Sequence, residues 1–139
     1  MLNLRKSKWG FTLIELMVVV AIIGVLALLG LRLYTTQQEK AKNAIVKANA
    51  GTIQTIIQGE LADADADTVN STMLSIFTNS GIRNPLDLSD IQSAKISTTA
   101  LAGEVWVDYD NSTDIFTING IQADGSGNVY GTNHLTARR

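Results

Sequence analysis

The chain has 139 residues, 45% of them hydrophobic, no cysteine and a formal net charge of -2. That length allows one small domain, the missing thiols exclude disulfide staples and thiolate metal sites, and the charge does not give the clearly basic surface of a nucleic-acid-binding domain. The charge is unevenly spread: Arg5, Lys6 and Lys8 put +3 into residues 1–10, leaving 8 basic against 13 acidic side chains in the rest.

Behind that basic head, residues 10–31 read GFTLIELMVVVAIIGVLALLGL, with Thr12 and Glu15 as the only frankly polar side chains. The 21 residues from Phe11 to Leu31 make a helix of roughly 30 Å, the thickness of a bilayer's hydrocarbon core. A domain this small cannot cover a helix that is apolar all round, so the stretch reads as a membrane helix and not as a core helix. It is too long for a secretory signal, and no small-x-small cleavage site follows it. The head favours a cytoplasmic N-terminus, but Arg32, Lys40, Lys42 and Lys47 on the far side leave the charge rule undecided. Glu15 is the anomaly. An ionised acid deep in a membrane helix costs on the order of 2.5–3.5 kcal/mol, less near the interface, so such groups are by default functional.

Residues 32 to about 62 have helical composition, and Ile45, Ala48, Ile53, Ile56, Ile57 and Leu61 recur at near three- and four-residue spacing. This predicts a helix whose second half packs on a globular part. Residues 62–67 alternate Ala and Asp, but Thr68 and Leu74 stand where a calcium loop needs glycine and glutamate, so a solvated helix end is expected. A short helix is predicted over Thr68–Ser80, carrying Val69, Met73, Leu74, Ile76 and Phe77, with a turn at Asn84-Pro85. Strands follow at 94–100, 104–110 and 115–119, the last two joined by a turn at 111–114. An antiparallel meander of three strands on the helix is expected, with Val105, Val107 and Tyr109 on one face and Trp106 on the other. Val129-Tyr130 would add an edge strand, and His134, Arg138 and Arg139 would be solvated.

No nucleophile, phosphate-loop or metal-ligand motif is present, so the chain does not read as an enzyme. Asp108, Asp110, Asn111, Asp114 and Asp124 gather oxygens near the hairpin and tail without a defined ligand spacing. No cofactor is expected; calcium is the ion such a group would take.

The run G-F-T-L-I-E-L-M-V-V-V-A-I-I-G-V-L-A resembles the N-terminus of type IV pilins and the related pseudopilins. The likeness covers roughly residues 5–34, and the short leader is similar to those of the type IVa group. The resemblance implies that a prepilin peptidase cuts between Gly10 and Phe11, that the new Phe11 amine is N-methylated, and that Glu15 is the family's glutamate. Tyr34 also matches a family position, whereas Arg32 stands where many members carry a helix-kinking proline.

The resemblance further implies an α+β type IV pilin fold, a long N-terminal hydrophobic helix packed by its C-terminal half on a small antiparallel sheet. Its parts are a leader (1–10), the long helix (11–62, with 11–31 in membrane or fibre core), a connecting region (63–93), and the sheet with its tail (94–139). Glu15 then pairs with a neighbour's Phe11 amine and sets subunit register; an amine–carboxylate pair within one chain and a protonated carboxyl are the alternatives. The implied partners are further copies in a helical filament, the peptidase, an inner-membrane assembly platform and the membrane itself, with no specific nucleic acid. The precursor would sit in the cytoplasmic membrane and the product in an extracellular fibre serving adhesion, motility or DNA uptake. A pseudopilin of a secretion or competence machine, and a single-span anchored module that never assembles, are the rival readings.

Overall fold

The computed structural model describes residues 10–87, 94–95 and 101–139, with the backbone alone at 94–95. Helix α1 (Leu13–Asp63) is followed by α2 (Ala66–Asn79) and then by strands β1 (Ala94–Lys95), β2 (Val105–Asp110), β3 (Ile115–Gly120) and β4 (Leu135–Ala137). The architecture is α+β. α1 runs unbroken for 51 residues because its Leu, Ala, Gln, Glu and Lys are good formers and the sole proline, Pro85, lies outside it. The chain forms two compact units, Met1–Gln37 and Gln38–Arg139.

In the second unit α1 buries Val46, Ala50, Ile53, Ile57 and Leu61. Two members of the predicted stripe are corrected: Ile45 is 47% exposed and Ala48 is exposed, while Val46 and Ala50 face inward. Adjacent apolar residues at 45 and 46 leave the phase of the stripe undetermined; packing on the sheet selects the second. Helix α2 starts two residues earlier than the pattern suggested, after Asp65 in extended backbone, with Asp67 in its first turn, where a negative charge suits the helix dipole. It buries Ala66, Val69, Met73 and Phe77, whereas Leu74 is exposed. These side chains form one core with Val105, Val107, Phe116, Ile118, Val129 and Ala137.

The sheet runs in the order β1-β2-β3-β4. β2 and β3 pair antiparallel from Val105↔Gly120 to Asp110↔Ile115, and β3 pairs antiparallel with β4 from Phe116↔Ala137 to Ile118↔Leu135. The three-stranded antiparallel sheet therefore exists, but its third member is β4. The expected first strand contributes only Ala94 and Lys95, and these pair with β2 in parallel; residues 96–100 of that expected strand lie outside the described residues. Composition marks a strand without giving its direction, which the connections decide. Val129-Tyr130 is not a strand either. The Asn128 side chain accepts the Tyr130 N–H (2.9 Å), and the Gly131 N–H returns to the Asn128 carbonyl (3.0 Å), so the backbone turns there.

Polar side chains on the second half of α1 take the place of staples. Asn43 Oδ1 accepts the Ala123 N–H at 2.7 Å, Asn49 Nδ2 donates to the Arg83 carbonyl at 3.1 Å, and Gln54 Nε2 donates to the Thr136 carbonyl at 2.8 Å. The Tyr130 hydroxyl donates to the Lys47 carbonyl at 3.0 Å. At Gly120 strand and helix approach closely: a Cβ there would stand 2.5 Å from Val46 Cγ1.

Candidate functional site

The candidate site is the start of α1. Gly10, Phe11 and Thr12 are non-helical and exposed, and Phe11 is 84% exposed. Thr12 is the residue before the first helical one, and Glu15 is the third helical residue. Glu15 N–H donates to Thr12 Oγ1 (3.3 Å), while Glu15 Oε2 accepts both the Thr12 backbone N–H (3.1 Å) and the Thr12 hydroxyl (3.0 Å). This is a reciprocal capping box, in which two backbone donors at the helix start find acceptors.

The carboxylate is thereby oriented by its own chain, through Oε2 alone among the described contacts. It also lies in the first turn, where the dipole favours a negative charge. The nitrogen of Phe11 is a peptide N–H, so the geometry holds the acid of the charge pair that the resemblance implies and not its amine. Sequence reasoning singled out Glu15 as an acid in an apolar run but missed Thr12. The pattern T-x-x-E ahead of an apolar stretch was the available signal. Arg5, Lys6 and Lys8, the basic residues of the head, lie outside the described residues.

Beyond Glu15 every residue from Leu16 to Lys40 is exposed, including Met17, Ile22, Leu28 and Leu31. α1 is long and apolar enough to cross a membrane. Where the apolar run ends, Arg32 continues the helix without a break, although its carbonyl carries two extra bonds, from the hydroxyls of Thr35 (3.0 Å) and Thr36 (3.1 Å).

Acidic residues of the second unit are engaged in turn chemistry. Asp110 Oδ1 accepts the Ser112 N–H (2.9 Å) and hydroxyl (2.6 Å), and its Oδ2 accepts the Thr113 hydroxyl (2.8 Å). These bonds, those of Ser112 first, hold the Asp110 carboxyl below the usual carboxylate range. Asp124 is lowered likewise by the Ser126 N–H. The Tyr109 hydroxyl donates to Asp114 (2.9 Å) and Asp67 (3.2 Å), joining the hairpin turn to the start of α2. Burial first, then those two carboxylates, raise the phenol's pKa. The Tyr109 ring stacks on Phe116 with centroids 4.6 Å apart. Among the described residues, no group of three His, Cys, Asp or Glu side chains is placed to hold a metal ion.

Comparison with known proteins bears on the same region. Residues 5–31 match the family described as the prokaryotic N-terminal methylation motif. The chain is also similar to the fimbrial protein EcpB of Eikenella corrodens, 37% identical over 98 residues. That likeness takes in 70% of this chain and 61% of the relative, so the chain spans about three-fifths of the relative's length. No solved structure matches.

Proposed function

We propose, for a chain whose methylation motif and fimbrial relative support the type IV pilin family of structural subunits, that it is built into a type IV pilus. The observation that carries this reading is the first half of α1: a run of large apolar side chains that the chain itself leaves uncovered, headed by one carboxylate held in place. Such a surface suits a lipid bilayer before assembly and the matching helices of other copies afterwards. Both surroundings are apolar, so the exchange is made through packing and polar contacts and not through loss of water.

In this reading the precursor is anchored in the cytoplasmic membrane, a prepilin peptidase cleaves between Gly10 and Phe11, and the Phe11 amine is N-methylated. Gly10 and Phe11 are exposed and lie outside the helix, just ahead of it, which suits entry into a peptidase. An assembly platform in the membrane then passes the subunit into a helical surface fibre. There the Phe11 amine of one copy faces Glu15 of the next. Glu15 can keep its Thr12 bonds through Oε2 while Oε1 meets that amine. A subunit out of register would leave both charges buried and unpaired, a cost of about 3–5 kcal/mol.

No cofactor enters this role. The carboxylates of Asp110, Asp114 and Asp124 serve turn donors and the Tyr109 hydroxyl, and calorimetric titration with calcium is expected to give no heat.

Mass spectrometry of the protein recovered from cells tests the processing: a chain beginning at N-methylated Phe11 is expected, and an intact Met1 would point to an anchored module that never assembles. Glu15→Ala tests the register pair. Surface fibres counted by electron microscopy should fall steeply, and normal fibres in normal number would end that role for Glu15. A secretion defect in cells that make no surface fibres would favour the pseudopilin reading.

A further inference from the structure

We propose that the outer edge of β4 is a pairing surface for the β4 of a second copy, and that Gln54 holds it shut. The sheet order ends at β4, and among the described residues no strand lies on its other side. Such an edge offers its unpaired N–H and C=O groups to any strand that comes near.

The hydrogen-bond phase of the sheet fixes which groups those are. In an antiparallel pair, residues that exchange bonds alternate with residues that do not. The β2–β3 register continues one step past Val105↔Gly120, where the Ile121 N–H donates to the Glu104 carbonyl at 2.9 Å. The bonded pairs of β2 and β3 are therefore Trp106↔Asn119, Asp108↔Thr117 and Asp110↔Ile115, and Phe116 and Ile118 turn their main-chain groups toward β4. The Gly120 carbonyl, in the same phase, accepts the Val129 N–H at 2.8 Å on that side. Phe116↔Ala137 and Ile118↔Leu135 are then the bonded pairs of β3 and β4, and Thr117↔Thr136 is not. The Thr136 N–H and C=O point away from the sheet.

Thr136 thus carries the edge of this three-residue strand alone. It is exposed, and its carbonyl is taken from outside the sheet: Gln54 Nε2, on α1, donates to it at 2.8 Å. The partner such an edge fits is its own duplicate. Two copies meeting about a twofold axis put Thr136 opposite Thr136, each N–H donating to the other's carbonyl, a self-complementary contact. Gln54 occupies the acceptor which that contact needs, and its side chain stands where the second strand would lie. Without it the carbonyl is bare and the edge becomes a template. The guard matters most where apolar helices gather many copies in one membrane, as in the reading proposed above.

Energy transfer between donor- and acceptor-labelled copies of the full chain in detergent micelles tests it. Gln54→Met keeps the length of the side chain but has no donor. It should raise the transfer severalfold over the natural chain at the same protein-to-detergent ratio. Gln54→Met/Thr136→Pro also removes the outward N–H, at an edge position that tolerates proline, and should return the transfer to the natural level. In the natural chain the Thr136 amide should exchange about tenfold faster than the bonded amides of Leu135 and Ala137. In Gln54→Met it should slow as the protein-to-detergent ratio is raised. Equal transfer in the natural and methionine chains, or a gain that survives the proline, would overturn the proposal. So would a Thr136 amide as slow as its neighbours in the natural chain, a result that needs no variant. Fibre counts are not the readout, so its failure is distinguishable from failure of the pilus reading.

Discussion

The two halves of α1 show what apolar residues do with and without a core of their own. From Gln38 on, the helix is amphipathic: Val46, Ala50, Ile53, Ile57 and Leu61 are buried and the residues between them largely exposed. Before Gln38 the helix is apolar all round to Leu31, and every side chain is exposed. A stripe is satisfied within one chain by a single facing sheet, whereas an apolar cylinder needs surroundings on all sides. The first half therefore leaves its apolar surface uncovered by its own chain. The halves also differ in how they place polar groups. The second uses Asn43 and Asn49 to hold loops and Gln54 to hold β4; the first uses Thr12 and Glu15 to close its own start.

The contrast is most directly broken by matched truncations on its two sides. Phe77, at 2% exposure in the core, should cost about 3–5 kcal/mol as Phe77→Ala, read as a lowered denaturant midpoint for the full chain in micelles. Ile22→Ala, on the exposed half, should leave that midpoint within about 0.5 kcal/mol of the natural chain. Equal losses would mean that the first half is packed after all.

Gly120→Ala sharpens the description of the second half. The added Cβ meets Val46 Cγ1, and overpacking of this kind costs about 1–3 kcal/mol. Pairing it with Val46→Ala should return part of the loss, and strictly additive losses would refute the close contact as the cause.

On the first half, Thr12→Val removes the cap and should weaken the helix start by about 1 kcal/mol. The sign to look for is faster amide exchange at Ile14–Leu16, with the second unit's midpoint unchanged and Thr12→Ser restoring the natural rates.

The smallest effects are those of pH on the second unit. The Asp110 carboxyl is lowered in the folded chain. Its contribution is thus in place above the unfolded value of about 4 and is lost as the pH falls through the lower folded value. Asp110→Asn should flatten the acid limb of the melting temperature against pH. Tyr109 is shifted the other way. Its contribution is present below about 10 and fades as the pH rises from there toward the folded value. Tyr109→Phe should flatten the alkaline limb, and limbs unchanged in both variants would show that these bonds do not act on stability.

Much of the candidate site was legible because its signals are local. The length of the apolar run, its lone acid and the basic head all lie within thirty-one consecutive residues, and each has a meaning that does not depend on the rest of the fold. The capping box was legible too, as T-x-x-E, although an acid amid leucines draws attention to its charge before its reach. The second unit was harder. Alternation in EVWVDYD and IFTIN marked two strands whose ends fall within a residue of β2 and β3, but β4 has three residues, too few for a period to appear.

The sequence by itself determined that one long helix would carry an uncovered apolar half and a half-buried one, since helical period and total chain length decide how much surface a small domain can hide. Tertiary structure alone decided which of Ile45 and Val46 turns inward, that β1 runs parallel to β2, and that Leu135–Ala137 closes the sheet in place of Val129-Tyr130. Those choices depend on contacts between residues far apart in the chain, such as Gln54 with Thr136 and Val46 with Gly120. No pattern within a window of a few residues records a contact across eighty.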